Sequence, residues 1–401
     1  MKKVTMPQRL LPWSNSHEAV IWLMSMLLIM GAANVFSATF ILAENETGNP
    51  YFYILRHLVW LVVGFGAFMA SYKVDYHRWR NLLVPITIGV FITLLAVLAV
   101  GTAVNGARRW IYIGPFSVQP AELAKICAVM IEAYYLSYRM NKKKPINVFT
   151  RQFICILIMA FVVEMEPDMG TAVVVCGVPA VMIVMSGLSP EKIKRLFIAA
   201  VALLAGLIVY QPYRLERLKV AFDPWSDAQG IGYQTVQSLT AIGSGEFWGM
   251  GLGKGLAKYA YLPEAHTDFA LAVFCQENGF LPAVLLIVIY GAFAYQAVRI
   301  STDAYDSYGQ VLAGGIMVLV VGQAVVNMMM VMGCFPVVGV PLPFISYGGS
   351  SLIVTMFAVG ILVNINRYSL YAKKHQEKLR THSPKPLRAA APSRPRLRLV
   401  K

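Results

Sequence analysis

Charge is scarce in this chain, and acid is scarcer than base. Of 401 residues only 14% are charged, and the 35 lysines and arginines outnumber the 20 aspartates and glutamates. A soluble domain carries nearer a quarter charged residues, so a water-soluble globule is excluded. Cysteine is equally sparing. Cys127, Cys155, Cys176, Cys275 and Cys334 lie in or beside apolar runs and form no C-x-x-C pair. They read as small buried hydrophobes, not as a metal or disulfide framework. No A-x-A-like exit follows the first apolar run, so the basic start "MKKVTMPQRLLPW" introduces a helix that stays in the membrane, not a cleaved signal. A P-loop is missing too. In "GMGLGKG" (249–255) a glycine follows Lys254 where G-x-x-x-x-G-K-[ST] needs serine or threonine, and this excludes that route to nucleotide binding.

What the chain has is apolar length. A span needs roughly 20 mostly apolar residues. About ten runs qualify on that criterion, near 19–42, 52–71, 81–102, 119–138, 152–166, 170–186, 196–211, 268–297, 309–333 and 349–366. The run 152–166 is short. The fold class is therefore all-α: one polytopic membrane domain of about ten helices, because lipid requires each segment to satisfy its own backbone.

Basic residues fall in alternate loops, "YKVDYHRWR" (72–80), "RMNKKKPINVFTR" (139–151) and "SPEKIKR" (189–195), and in the tail. The positive-inside rule makes that side cytoplasmic and puts both termini there. Residues 1–370 form the membrane domain, and 371–401 a basic, Pro-rich tail expected to be disordered. The tail suits anionic lipid or a protein partner better than nucleic acid. The opposite face carries a long loop, 212–267, which is expected to be functional at that length. Within it, "YQTVQSLTAI" has the pattern of a short amphipathic helix lying on the membrane.

Five stretches carry chemistry. In "YLPEAHTDF", Asp268 opens an apolar run, with Glu264 and His266 close by. It reads either as a helix cap or as a base at the lipid–water boundary, made more basic by burial. In "NGARRW", Arg108 and Arg109 fit a phosphate clamp or interfacial snorkelling, with Lys254 and Lys258 adding positive charge on the same side. In "ISYGGSS", Ser346, Gly348, Gly349 and Ser350 precede or open a span, where free N–H groups favour anions. In "EMEPDMGT", Asp168 suits a cap for the next helix. In "QPAELAK", Glu122 and Lys125 are placed to neutralise each other three residues apart. No compact metal-ligand set appears.

These segments resemble a known family. "GARRWI", "QPAELAK", "EPDMGT", "GMGLGKG", "YLPEAHTDF" and "GVPLPFISYGGSS" occur in the order found in FtsW/RodA/SpoVE (SEDS) proteins, over roughly 20–370. "YLPEAHTDF" and "EPDMGT" look more like the division and sporulation members. Glu277-Asn278-Gly279 in "FCQENGF" departs from the family's usual E-E-L-G run. The resemblance implies a ten-helix peptidoglycan glycosyltransferase of the inner membrane. It would polymerise lipid II into glycan strands on the outer face, and Asp268 would match the family's catalytic aspartate. The implied partners are a class B penicillin-binding protein that crosslinks the product and other division proteins. No cofactor is implied with certainty, and a divalent cation, Mg or Mn, is left open. Lipid II flipping and a non-catalytic division scaffold are the alternatives.

Overall fold

The computed structural model describes residues 15–104, 107–114, 116–210 and 212–382. The first 14 residues and the tail from 383 lie outside the described residues. The chain opens with α1 (Ser16–Thr47), α2 (Phe52–Lys73), the short α3 (Tyr76–Asn81) and α4 (Leu83–Val100). Three short antiparallel strands follow in the order β1 (Thr102–Val104), β2 (Ala107–Ile113) and β3 (Phe116–Val118). They add one small β element to a helical fold. Then come α5 (Pro120–Asn141), α6 (Arg151–Met165), α7 (Met169–Met185), α8 (Pro190–Tyr210), α9 (Pro212–Phe222) and α10 (Tyr233–Ser244). The last group is α11 (Ala270–Asn278), α12 (Phe280–Thr302), α13 (Ser307–Met317), α14 (Gln323–Val331) and α15 (Gly349–His382).

Local chemistry sets these boundaries. Pro120 starts α5, where a missing N–H costs nothing. Gly48 ends α1 in the left-handed conformation and donates its N–H back to Glu44 O. Between α13 and α14 the chain makes one π-turn, Val318–Gly322, without leaving the helical path. Six helices among the described residues are long and apolar enough to cross a membrane: Ser16–Thr47, Phe52–Lys73, Leu83–Val100, Phe280–Thr302, Ser307–Val331 and Gly349–His375. α5 and α15 lie at the centre, with α2 along α15 and α4, α6, α7 and α13 around α5.

Three expectations change. The run 268–297 is not one span. Gly279, at φ +81°, breaks it into α11 and α12, and its backbone packs so closely on Trp248 and Gly249 that a side chain has no room. The loop 212–267 holds α9 and α10, and α10 is the short helix expected over "YQTVQSLTAI", though not in the surroundings expected for it. It does not lie free on the membrane. It buries Thr235, Val236, Ser238 and Ala241, and the Ser238 hydroxyl donates to Val331 O at 2.7 Å. In addition, α15 continues to His382, past the boundary expected at 370.

The 334–348 segment is pinched from two sides. A methyl group on Gly31 of α1 would overlap the Phe344 carbonyl, and one on Gly170 of α7 would overlap the Val338 carbonyl. Both obstacles are main chain and cannot swing aside. Gly31→Ala and Gly170→Ala should each destabilise by about 1–3 kcal/mol, the range of overpacking in a filled interior. Thermal unfolding in detergent checks this, and a midpoint equal to the parent's would contradict the packing described.

Candidate active site around Asp268

Asp268 ends the irregular segment that leads into α11, and its carboxylate does not cap that helix. The N-cap position is Phe269, with no side-chain cap bond. The cap reading is therefore corrected. Other aspartates show what a cap looks like here. Asp75, Asp168 and Asp306 stand at the starts of α3, α7 and α13 and accept main-chain N–H bonds from His77 at 2.9 Å, Thr171 at 3.1 Å and Gly309 at 2.9 Å.

The Asp268 main chain is held from the side. Its carbonyl accepts Nδ2–H of Asn327 at 2.8 Å, and one residue into α11 the Ala270 carbonyl accepts Nδ2–H of Asn34 at 3.0 Å. The Tyr347 N–H donates to His266 O at 2.8 Å, joining this segment to the 334–348 loop. Where that loop passes Asp268, the residue is Gly339, at φ +68°. A methyl group there would sit 3.3 Å from Asp268 Oδ2.

The carboxylate is half-buried and ringed by protein. Burial is the largest influence on it and pushes its pKa up, and the negative charges of Glu264 and Asp168 add to this. Arg109 and Arg217 pull the other way, and the balance leaves it at about 7. Asp268 thus gains and loses its proton near neutrality, in the field of two guanidinium groups.

Those two cations come from different places. Arg109 on β2 donates through Nε to Glu166 O at 3.1 Å and through Nη2 to Pro167 O. Arg108, one residue earlier on the strand, is exposed, so the adjacent arginines separate as neighbours on a pleated strand do. Arg217, half-buried on α9, donates to Val337 O at 2.9 Å. The sequence reading missed Arg217, which sits among the polar residues of "YRLERLK" with no pattern to single it out. Only the fold of 212–267 brings it to Asp268.

The remaining candidates divide. His266 is half-buried between the rings of Tyr53 and Tyr347, 5.9 and 5.7 Å away centre to centre. Burial lowers its pKa, against the opposing pull of Glu264 and Glu46. Glu264 is exposed, at φ +55°, and accepts the Thr267 hydroxyl at 2.6 Å. Asp168 is buried and also accepts Gln119 Nε2–H at 3.0 Å.

The serines are occupied by the fold. Ser346 Oγ accepts Leu342 N–H at 2.9 Å. Ser350 Oγ accepts Gln119 N–H at 3.0 Å. Gly349 lies against the Trp60 ring, while Gly348 is half-buried. The start of α15 is thus packed on neighbouring protein, unlike the open anion cradle expected there. Glu122 and Lys125 form a buried pair at 2.8 Å, and Lys125 also donates to Gln323 Oε1 at 2.9 Å.

Lys254 is exposed on the glycine-rich loop, with no described contact to Asp268. Lys258 is not a free external charge. It is buried and paired with Glu277 at 3.0 Å, with Ser37 bonded to the same carboxylate at 2.5 Å. Among the described residues no three His, Cys, Asp or Glu side chains converge as a metal site.

A model of the FTSW_RODA_SPOVE family, described as "Cell cycle protein", matches residues 18–371. The chain is 35% identical over 354 residues to the probable peptidoglycan glycosyltransferase FtsW of Geobacter sp. (strain M18), covering 87% of this chain and 96% of that protein. It is 37% identical over 352 residues to stage V sporulation protein E of Bacillus subtilis (strain 168), covering 86% and 95%. Among solved structures it resembles a chain from a study of how a peptidoglycan synthase complex coordinates polymerization and crosslinking. That match has a TM-score of 0.71 at 26% identity and covers 88% of this chain and 98% of the other.

The raised Asp268 pKa has a consequence for stability. The folded value of about 7 exceeds the ordinary 3.8, so the folded protein holds a proton the unfolded chain has lost between those limits. Stability from this group therefore falls as pH rises from about 4 to about 7. Asp268→Asn should raise the unfolding temperature more at pH 8 than at pH 5. An equal shift at both pH values would mean the carboxylate is not strained by its surroundings.

Proposed function

The chain belongs to the FTSW_RODA_SPOVE cell cycle protein family, and from that premise we infer that it is a peptidoglycan glycosyltransferase, a multi-pass membrane enzyme that polymerises lipid II into glycan strands during cell division. The observation that carries the mechanism is the uncapped Asp268 carboxylate, which titrates near 7 in the field of Arg109 and Arg217. In this reading Asp268 takes the proton from the acceptor sugar's 4-hydroxyl. The freed oxygen attacks the anomeric carbon of the lipid-linked donor from the face opposite its phosphate. The C–O bond to the polyprenyl pyrophosphate breaks, the anomeric configuration inverts, and the pyrophosphate leaves with the bonding electron pair. Arg109 and Arg217 stabilise that developing charge, with the exposed Arg108 one residue along the same strand as Arg109. A divalent cation, magnesium or manganese, would supply further charge stabilisation to the leaving pyrophosphate.

The sidedness follows from charge. The basic loops gather at the Lys73 end of α2, where Asn364 bonds Tyr72 O, His77 meets Asp306 and Ser307 meets Asn141, whereas Tyr53 at the other end of α2 lies against His266. The positive-inside rule assigns the Lys73 end to the cytoplasm, so Asp268 faces outward. The end of α1, the start of α2 and the 212–268 and 334–348 segments surround the site on that face. The partner implied by this chemistry is a crosslinking enzyme, a class B penicillin-binding protein.

Purified protein with such a partner and labelled lipid II tests the reading. Asp268→Asn should lower polymer formation by about 10²–10⁴-fold, the usual contribution of a positioned base. Near-normal ladders from that variant would end the assignment. In the parent, kcat/KM should rise about tenfold per pH unit up to about pH 7 and then level off, as the base form fills. Arg217→Met should lower kcat by about 10²-fold or more, as losing one preorganised donor to a developing charge does.

A further inference from the structure

Since no cap fixes the start of α11, something else must set where the Asp268 carboxylate points. Asn327 is the side chain in direct contact with this main chain. It projects from α14, fully buried, and its single amide nitrogen donates to two carbonyls: Asp268 O at 2.8 Å and Val340 O at 2.7 Å. The two acceptors belong to segments far apart in sequence that face each other across the site. The second is next to Gly339, the residue that faces Asp268 Oδ2. Asn327 therefore spans the same gap in which the carboxylate lies.

Few side chains can do this. Leucine has a similar volume but no donor, so both carbonyls would be buried without partners. Aspartate offers acceptors where donors are needed, and ionised it would add a third negative charge to those of Glu264 and Asp168. Glutamine keeps both donors but adds a methylene to a fixed gap. Among the described residues Asn327 Oδ1 itself has no hydrogen-bond partner. A buried amide left half-satisfied is costly to the fold, and its bonded half is used entirely on the frame around Asp268.

We propose that Asn327 is the positioning residue for Asp268, locking the Asp268 main chain and the 339–340 turn into one register so that the carboxylate meets the acceptor hydroxyl. This rests on Asp268 being the base. The charged and titratable groups around that base are Glu264 and His266 on its own segment, Asp168 at the start of α7, Arg109 on β2 and Arg217 on α9.

The test compares parent, Asn327→Leu, Asn327→Gln and Asp268→Asn in nanodiscs, with labelled lipid II and the crosslinking partner. Each variant is first checked by thermal unfolding. With Asn327→Leu or Asn327→Gln, kcat should fall about 10–100-fold, KM for lipid II should stay within about twofold, and the midpoint of the pH–rate profile should move by half a unit or more. A purely structural role would lower the yield of folded protein and leave kcat per folded molecule and the pH midpoint unchanged. That result overturns the proposal. Should the leucine variant fail to fold, the glutamine variant decides, because it retains both donors. Asp268→Asn keeps the two failures apart. If it is inactive while the Asn327 variants run at the parental rate and pH midpoint, only the positioning role falls. If it is active, the base assignment falls, and the positioning role with it.

Discussion

The arrangement rests on buried amides from helices meeting the carbonyls of irregular chain and of the first turn of α11. Asn34 of α1 reaches Ala270, Gln323 of α14 reaches Pro341 at 2.8 Å, and Asn327 reaches Asp268 and Val340. Each donor side chain is almost wholly buried. Non-helical backbone at membrane depth is tolerated only where protein or water satisfies it. These three side chains give the Asp268, Ala270, Val340 and Pro341 carbonyls donors where the irregular segments meet the bundle. Lys125, buried with Glu122, donates to the same Gln323 and so ties α5 into the frame.

Around that frame, charge is arranged to conflict. Glu264 and Asp168 resist ionisation of Asp268, while Arg109 and Arg217 favour it. A carboxylate placed for stability would be capped and fully ionised, as Asp306 is. There, burial would raise the pKa, but bonds from His77, Tyr76 and the Gly309 N–H overcome it and bring it down to about 2. The two aspartates show one residue type used in two ways by the same chain: one secures the turn into α13, and the other gives up stability to stay near its titration point.

Much of the framework was legible from composition. Long apolar runs found most helices within a few residues, because a span imposes its length directly on sequence. The Glu122–Lys125 spacing and the Asp168 cap are local patterns and were readable as such. Asp268 was found, but its two readings could not be separated, since a cap and a base look alike before the helix start is seen. The break at Gly279 was hidden because one glycine in an apolar run has no local meaning until Trp248 and Gly249 pack against it. Arg217 and Asn327 lay beyond reach for a related reason. Their partners, Val337, Asp268 and Val340, are brought to them by tertiary structure alone. Lys258 was misread as external charge because its partner, Glu277, lies across a loop and a turn.

The π-turn at Val318–Gly322 has a mechanical implication of its own. A helix advances about 100° per residue, and a π-turn carries one residue more than the regular repeat. Everything beyond it in the Ser307–Val331 span is rotated by that insertion, including Gln323 and Asn327. Removing a single residue between 318 and 322 would swing both amides off their carbonyls while leaving the hydrophobic span nearly as long. Here the angular phase of a helix, set by counting and not by composition, decides which residues face the reaction.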